Sequence, residues 1–113
     1  EKQYKIMSKW DNQKTEDLFK AILALKNTQE AKKFFRDLLT QKEIIELGKR
    51  WQAAKMLSQN IPYSKIEQAT GLSSTTVARV SKWLNKGEGG YKLLLQKLNS
   101  HHRKSSSFGK GLR

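Results

Sequence analysis

The chain predicts an all-α domain of about six helices, and three observations predict it. Apolar residues recur three and four positions apart along most of the length, as on one face of a helix. Capping residues or helix breakers separate these stretches. No alternating run of strand length occurs, and no internal repeat. The 113 residues include no cysteine and one proline, so stability has to come from helix packing or a second subunit, not from disulfides. The pattern places one domain over residues 15–99, between an N-terminal arm at 1–14 and a basic, flexible tail at 100–113.

The first helix is expected in "TEDLFKAILALKN" (15–27), with Thr15 as N-cap and Glu16 and Asp17 where the helix dipole favours acids. Leu18, Ile22 and Leu25 form its stripe, and Asn27 ends it. Thr28 begins a second helix with Ala31, Phe34, Phe35 and Leu38 on its apolar side. Thr40 and Glu43 fit a capping box for a third, over about 42–58, with Ile44, Leu47, Trp51 and Ala54 at buried spacing. Pro62 belongs only in a first turn, so it opens a short fourth helix; a capping box of Ser64 and Glu67 implies a slightly different frame. Gly71 stops that helix, and Ser73 or Ser74 caps a fifth that runs to about Asn85. "NKGEGG" is a stop and a joint. The last helix, about 90–99, carries Tyr91, Leu94, Leu95 and Leu98 on one side, and "HHRKSSSFGKGLR" follows as the tail.

The fourth and fifth helices, about 62–85, meet across a turn of three or four residues around Gly71, the length and composition of a helix-turn-helix. Ile66, Leu72, Val77 and Val80 are placed to pack the pair together, which presents the polar face of "GLSSTTVARVSKWL" outward. Ser73, Ser74, Thr75 and Thr76 stand at the helix N-terminus, where recognition helices approach base edges and backbone N–H groups attract phosphate. Arg79 and Lys82 lie further along, and Ser64, Lys65 and Gln68 are the polar positions of the preceding helix.

Charge points the same way. The formal net charge is +13, and residues 1–48 hold ten Lys/Arg against eight Asp/Glu, whereas residues 49–113 hold thirteen against two. A half so basic suits a polyanion, because Lys and Arg that neutralise phosphates release condensed counterions. No signal-type segment and no run of about 18 apolar residues occurs, so a cytoplasmic protein without membrane contact is expected. His101 and His102 are adjacent in the tail, and no phosphate loop or nucleophile elbow is present. No catalytic residue, metal site or cofactor is therefore expected.

The stretch "LLTQKEIIELGKRWQAAKMLSQNIPYSKIEQATGLSSTTVARVSKWL" resembles the Trp repressor superfamily, especially its YerC/YecD-like branch, and the likeness extends from about Leu18 to Leu98. It implies an all-helical, intertwined homodimer that regulates transcription, as a repressor, by binding a palindromic operator through two reader heads. The same likeness aligns Thr40, Arg50 and Arg79 with the threonine and two arginines that hold the indole corepressor. Val80 and Trp83 fall where the repressor has a glycine and a serine, so the resemblance implies that protein fills the space and that L-tryptophan is not required. Trp83 would then act as a built-in plug on the reader helix. Arg50 and Arg79 have a plainer reading as phosphate contacts or surface ion pairs.

Two alternatives stand beside this reading. One is a helix-turn-helix that docks another regulator, with affinity insensitive to salt; the other is a tryptophan-responsive repressor. RNA binding lacks a stacking platform, since Trp51 and Trp83 lie on faces expected to be buried and Tyr63 alone is exposed.

Overall fold

The computed structural model describes the backbone of residues 8–111 and the side chains of residues 8–100. Among these there are six helices and no strand: α1 Gln13–Leu23, α2 Thr28–Leu38, α3 Gln41–Ser58, α4 Tyr63–Thr70, α5 Ser74–Lys86 and α6 Gly90–Gly111. The chain divides into two compact units, Glu1–Ile44 and Ile45–Arg113.

In the N-terminal unit, local capping fixes the helix frames. Asn12 caps α1: its side chain accepts from the Thr15 N–H at 3.1 Å, while the Thr15 hydroxyl accepts from the Asn12 N–H at 2.9 Å. The expected cap at Thr15 is thus three residues late, because Thr15 is the inner partner of the box. Of the expected arm at 1–14, residues 13 and 14 are helical and residues 1–7 lie outside those described. Asn27, expected to end the first helix, instead starts the second by accepting from the Glu30 N–H at 2.9 Å. α1 closes earlier, at Ala24, through a bond from its N–H to the Ala21 carbonyl. The Thr40 and Glu43 box forms as expected, with bonds of 2.8 and 3.1 Å. Neither α1 nor α2 buries a single residue; Leu18, Ile22, Phe34 and Phe35 are half-buried, and Leu23 is 84% exposed. Trp10 meets Phe19 edge to face at 6.5 Å.

The C-terminal unit has a core. Ala53 and Ala54 of α3, Ile66 of α4, Leu72 of the turn, and Val77 and Val80 of α5 are buried together, with Met56, Leu57, Ile61 and Tyr91 packed around them. Two adjacent alanines leave room for α4 and α5 to come close to α3, and the β-branched side chains fill that space with little rotamer freedom to lose. Of the expected apolar positions on α3, Ala54 is fully buried, Ile44 and Trp51 are half-buried, and Leu47 is exposed. The stripe drifts because only the later turns of α3 have α4 and α5 to pack on.

Asn60, with φ of 60°, ends α3: the Ile61 N–H bonds back to the Met56 carbonyl and the Asn60 N–H to that of Leu57. Pro62 then takes the N-cap position of α4 without a side-chain bond, so the Ser64 and Glu67 box does not form. Proline needs no such help, since its fixed φ already matches the approach to a helix. α5 stops at Gly87, where a Cβ would run into the Trp83 carbonyl.

α6 buries Leu95 and half-buries Tyr91, and leaves Leu93, Leu94 and Leu98 exposed. Its backbone stays helical to Gly111, past the expected end near 99 and through most of the stretch expected to be a flexible tail. Residues 100–111 contain no proline, and Arg103, Lys104 and Lys110 suit the C-terminal half of a helix dipole. Among the described residues no helix is long and apolar enough to cross a membrane.

Candidate nucleic-acid interface

α4, the turn and α5 form the helix-turn-helix that the spacing predicts. Gly71 sits at φ of 77°, a left-handed position that costs a residue with a Cβ energy, and its N–H closes α4 on the Glu67 carbonyl at 2.8 Å. The chain then turns Leu72 into the core and enters α5 through Ser73. The Ser73 hydroxyl accepts from the Thr76 N–H at 3.2 Å and donates to the Thr76 hydroxyl at 3.1 Å. Ser73 and Thr76 therefore serve the cap. Ser74 and Thr75 stand exposed on the first turn, beside backbone N–H groups that a helix start leaves without intrahelical partners.

With Val77, Val80 and Leu84 turned inward, the outer face of α5 carries Ser74, Thr75, Ala78, Arg79 and Lys82, all exposed. Ser64, Lys65 and Gln68 are exposed on α4. Ala78, not among the residues expected from the sequence, lies one turn from both Ser74 and Lys82. Its spacing from those two was the available signal, and a methyl group there is suited to a thymine methyl. α5 holds three basic residues, Arg79, Lys82 and Lys86, and no acid. The face can therefore attract phosphate along its length and offer hydroxyls and a methyl group at its tip.

Thr40, Arg50 and Arg79 have separate surroundings. Thr40 lies in the N-terminal unit and caps α3. Arg50 reaches Glu46, one turn earlier, at 3.5 Å between Nε and Oε2, an ion pair that is not a hydrogen bond, and its buried Nε has no hydrogen-bond partner. Its guanidinium lies 5.8 Å from the centre of the Trp83 ring, in range of a cation–π contact between α3 and α5. Arg79 is exposed on the outer face of α5.

Trp83 is 41% exposed, against the expectation of burial. The inward stripe of α5 belongs to Val77, Val80 and Leu84, and Trp83 stands about a quarter of a turn from its centre. It walls an open cleft of about 670 Å³ with Trp51, Tyr91 and Leu94. Tyr91 stacks on Trp51 at 6.2 Å, and burial pushes its phenol above the ordinary tyrosine range, partly offset by the charge of Arg50. No group of three metal-ligating side chains occurs among the described residues.

The sequence pattern of the Trp repressor protein family matches residues 13–99. The chain belongs to the Trp repressor family. It is 40% identical over 92 residues to the uncharacterized protein YerC of Bacillus subtilis (strain 168), across 81% of this chain and 88% of that one. A solved TrpR-like protein from Eubacterium eligens ATCC 27750 superposes with a TM-score of 0.78 at 42% identity, over 80% of this chain and 94% of its own. A Trp repressor candidate from Staphylococcus aureus gives 0.75 at 41% identity, over 78% and 88% of the two chains. This Trp repressor-family chain is thus of the YerC-like kind, with the all-α fold of a family of DNA-binding regulators.

Proposed function

We propose that this chain is a sequence-specific double-stranded DNA-binding transcriptional regulator, a repressor that acts as a homodimer in the cytoplasm and does not depend on L-tryptophan. The observation that carries the reading is the outer face of α5: core packing turns it outward, it bears no acid, and its N-terminal turn exposes Ser74 and Thr75. Ser64, Lys65, Gln68, Arg79 and Lys82 supply the flanking polar and phosphate contacts in this reading.

Two further observations support its parts. Helices α1 and α2 bury nothing, and Phe19, Leu23, Leu94 and Leu98 are exposed, more apolar surface than one small chain usually leaves to water. A second copy covers such surface and brings two readers to half-sites about 34 Å apart. Tryptophan independence is supported by the approach of Arg50 to Trp83, which sets the chain's own indole 5.8 Å from the guanidinium.

Selection of randomised duplex DNA at about physiological salt tests the reading. Enrichment of a palindrome with half-sites one helical turn apart is expected. Affinity should fall with salt by about 0.9 decade per decade for each phosphate neutralised. A flat salt response with no enriched sequence would favour the protein-docking alternative. Saturable binding of L-tryptophan in calorimetry would remove the independence claim. Deleting residues 101–113 is expected to weaken binding about equally for all sequences, which would mark them as sequence-neutral attraction.

A further inference from the structure

Thr70 is the one polar residue buried among those described, at 7% exposure, and it is the last residue of α4. Its hydroxyl makes two bonds: it donates to the Ile66 carbonyl at 2.7 Å and accepts from the Leu72 N–H at 3.2 Å. The second bond has no substitute in the helix pattern. α4 ends when the Gly71 N–H meets the Glu67 carbonyl, and the left-handed turn at Gly71 then directs the next N–H, that of Leu72, back toward the buried interior. Leu72 is itself a core residue, so water is excluded there, and Thr70 Oγ1 is the acceptor that keeps this N–H paired. Ser73, the cap of α5, is the very next residue.

We infer that Thr70 is a positioning residue for the reader helix: its hydroxyl ties the end of α4 to the chain entering α5 and so fixes where Ser74, Thr75 and Arg79 stand. This rests on the DNA-binding reading for its consequence but not for its geometry. The threonine methyl limits χ1, which holds the oxygen where both bonds can form. The Gly71, Leu72 and Thr76 N–H groups are bonded to Glu67, Thr70 and Ser73, so paired groups fix the end of α4, the turn and the start of α5. Thr70 touches no nucleic acid in this scheme; it acts through the turn.

The test compares Thr70→Val, nearly equal in volume but unable to make either bond, with Thr70→Ser, which keeps both, in the full chain. Two readouts are taken: the ratio of affinities for the selected and an unrelated duplex, and the orientation of α5 relative to α4 from residual dipolar couplings, with exchange of the Leu72 amide. Thr70→Val is expected to lose about tenfold in that ratio, the discrimination carried by one well-placed base contact, while binding of the unrelated duplex is kept. Leu72 exchange should quicken and the α5 couplings shift, and Thr70→Ser should restore both. If Thr70→Val does not fold, Thr70→Ala against Thr70→Ser makes the same comparison. An unchanged ratio with unchanged couplings overturns the inference and leaves Thr70 a purely stabilising residue. If the unsubstituted chain prefers no sequence, the DNA reading fails by itself, and the couplings alone decide the role of Thr70.

Discussion

Helices α2 and α5 are close in length, eleven and thirteen residues, and both carry an apolar stripe, yet α5 buries Val77, Val80 and Leu84 while α2 buries nothing. The difference lies in what each has been given to pack on. The apolar side of α5 meets Ala53, Ala54 and Ile66, small and branched side chains that close-pack with its valines. The stripe of α2 is built from Phe34, Phe35 and Leu38, broad groups that remain half-buried or exposed. A short helix draws most of its stability from tertiary packing. The pair α4 and α5 is thus held within one chain, whereas the N-terminal helices hold their frames by caps and leave their stripes half-buried or exposed.

That contrast can be broken most forcefully at Ile66. Replacing it by alanine is expected to cost about 2–5 kcal/mol in denaturant unfolding. A loss under 1 kcal/mol would show that the C-terminal core is no firmer than the N-terminal unit. Arg79→Ala comes next, with about 1–3 kcal/mol lost from DNA affinity in titrations at fixed salt and little change in the thermal midpoint. It separates the reader's surface from the reader's support.

The caps sharpen the comparison, because each unit has one. Asn12→Ala and Ser73→Ala are each expected to cost about 1 kcal/mol. In α1 the loss should appear as faster amide exchange over that helix alone; in α5, tied to the core, it should appear in global unfolding. Leu23→Asp is expected to leave α5 protection unchanged and to raise the monomer fraction in sedimentation, which places the missing surface on a second copy.

The smallest effect belongs to Tyr91. Its phenol titrates above the ordinary value because burial opposes its ionised form. The unfolded chain therefore gives up that proton first, and stability falls as pH rises past about 10. Tyr91→Phe should flatten that part of the stability curve, read as the difference between two unfolding series.

Sequence resolved most of the fold where the signal was local. Thr40 and Glu43, Gly71 and Ser73 each act within a few residues of where they stand, so spacing and residue type identify them, and with them the reader pair. At Asn12 and Thr15 the same chemistry misleads, because both residues suit a cap and only the backbone says which is outer. Trp83 was not legible for a different reason: it borders the inward stripe of α5, and whether it lies in or out depends on the neighbouring helix, not on its own. Of the candidate contacts, exposure on α4 and α5 followed from periodicity. The division of labour among the four hydroxyls, two capping and two presented, did not, because it turns on the frame of one residue.

Ala53 and Ala54 carry a last consequence. Each is fully buried against the reader pair, and any added methylene there displaces α4 and α5 at a cost of about 1–3 kcal/mol. Substitutions on the outer face of α5 are expected to cost the fold little, since its side chains are exposed. The two alanines have no such latitude. A family that diversifies in what it recognises is thus expected to vary on the side it shows and to stay fixed at two methyl groups it never shows.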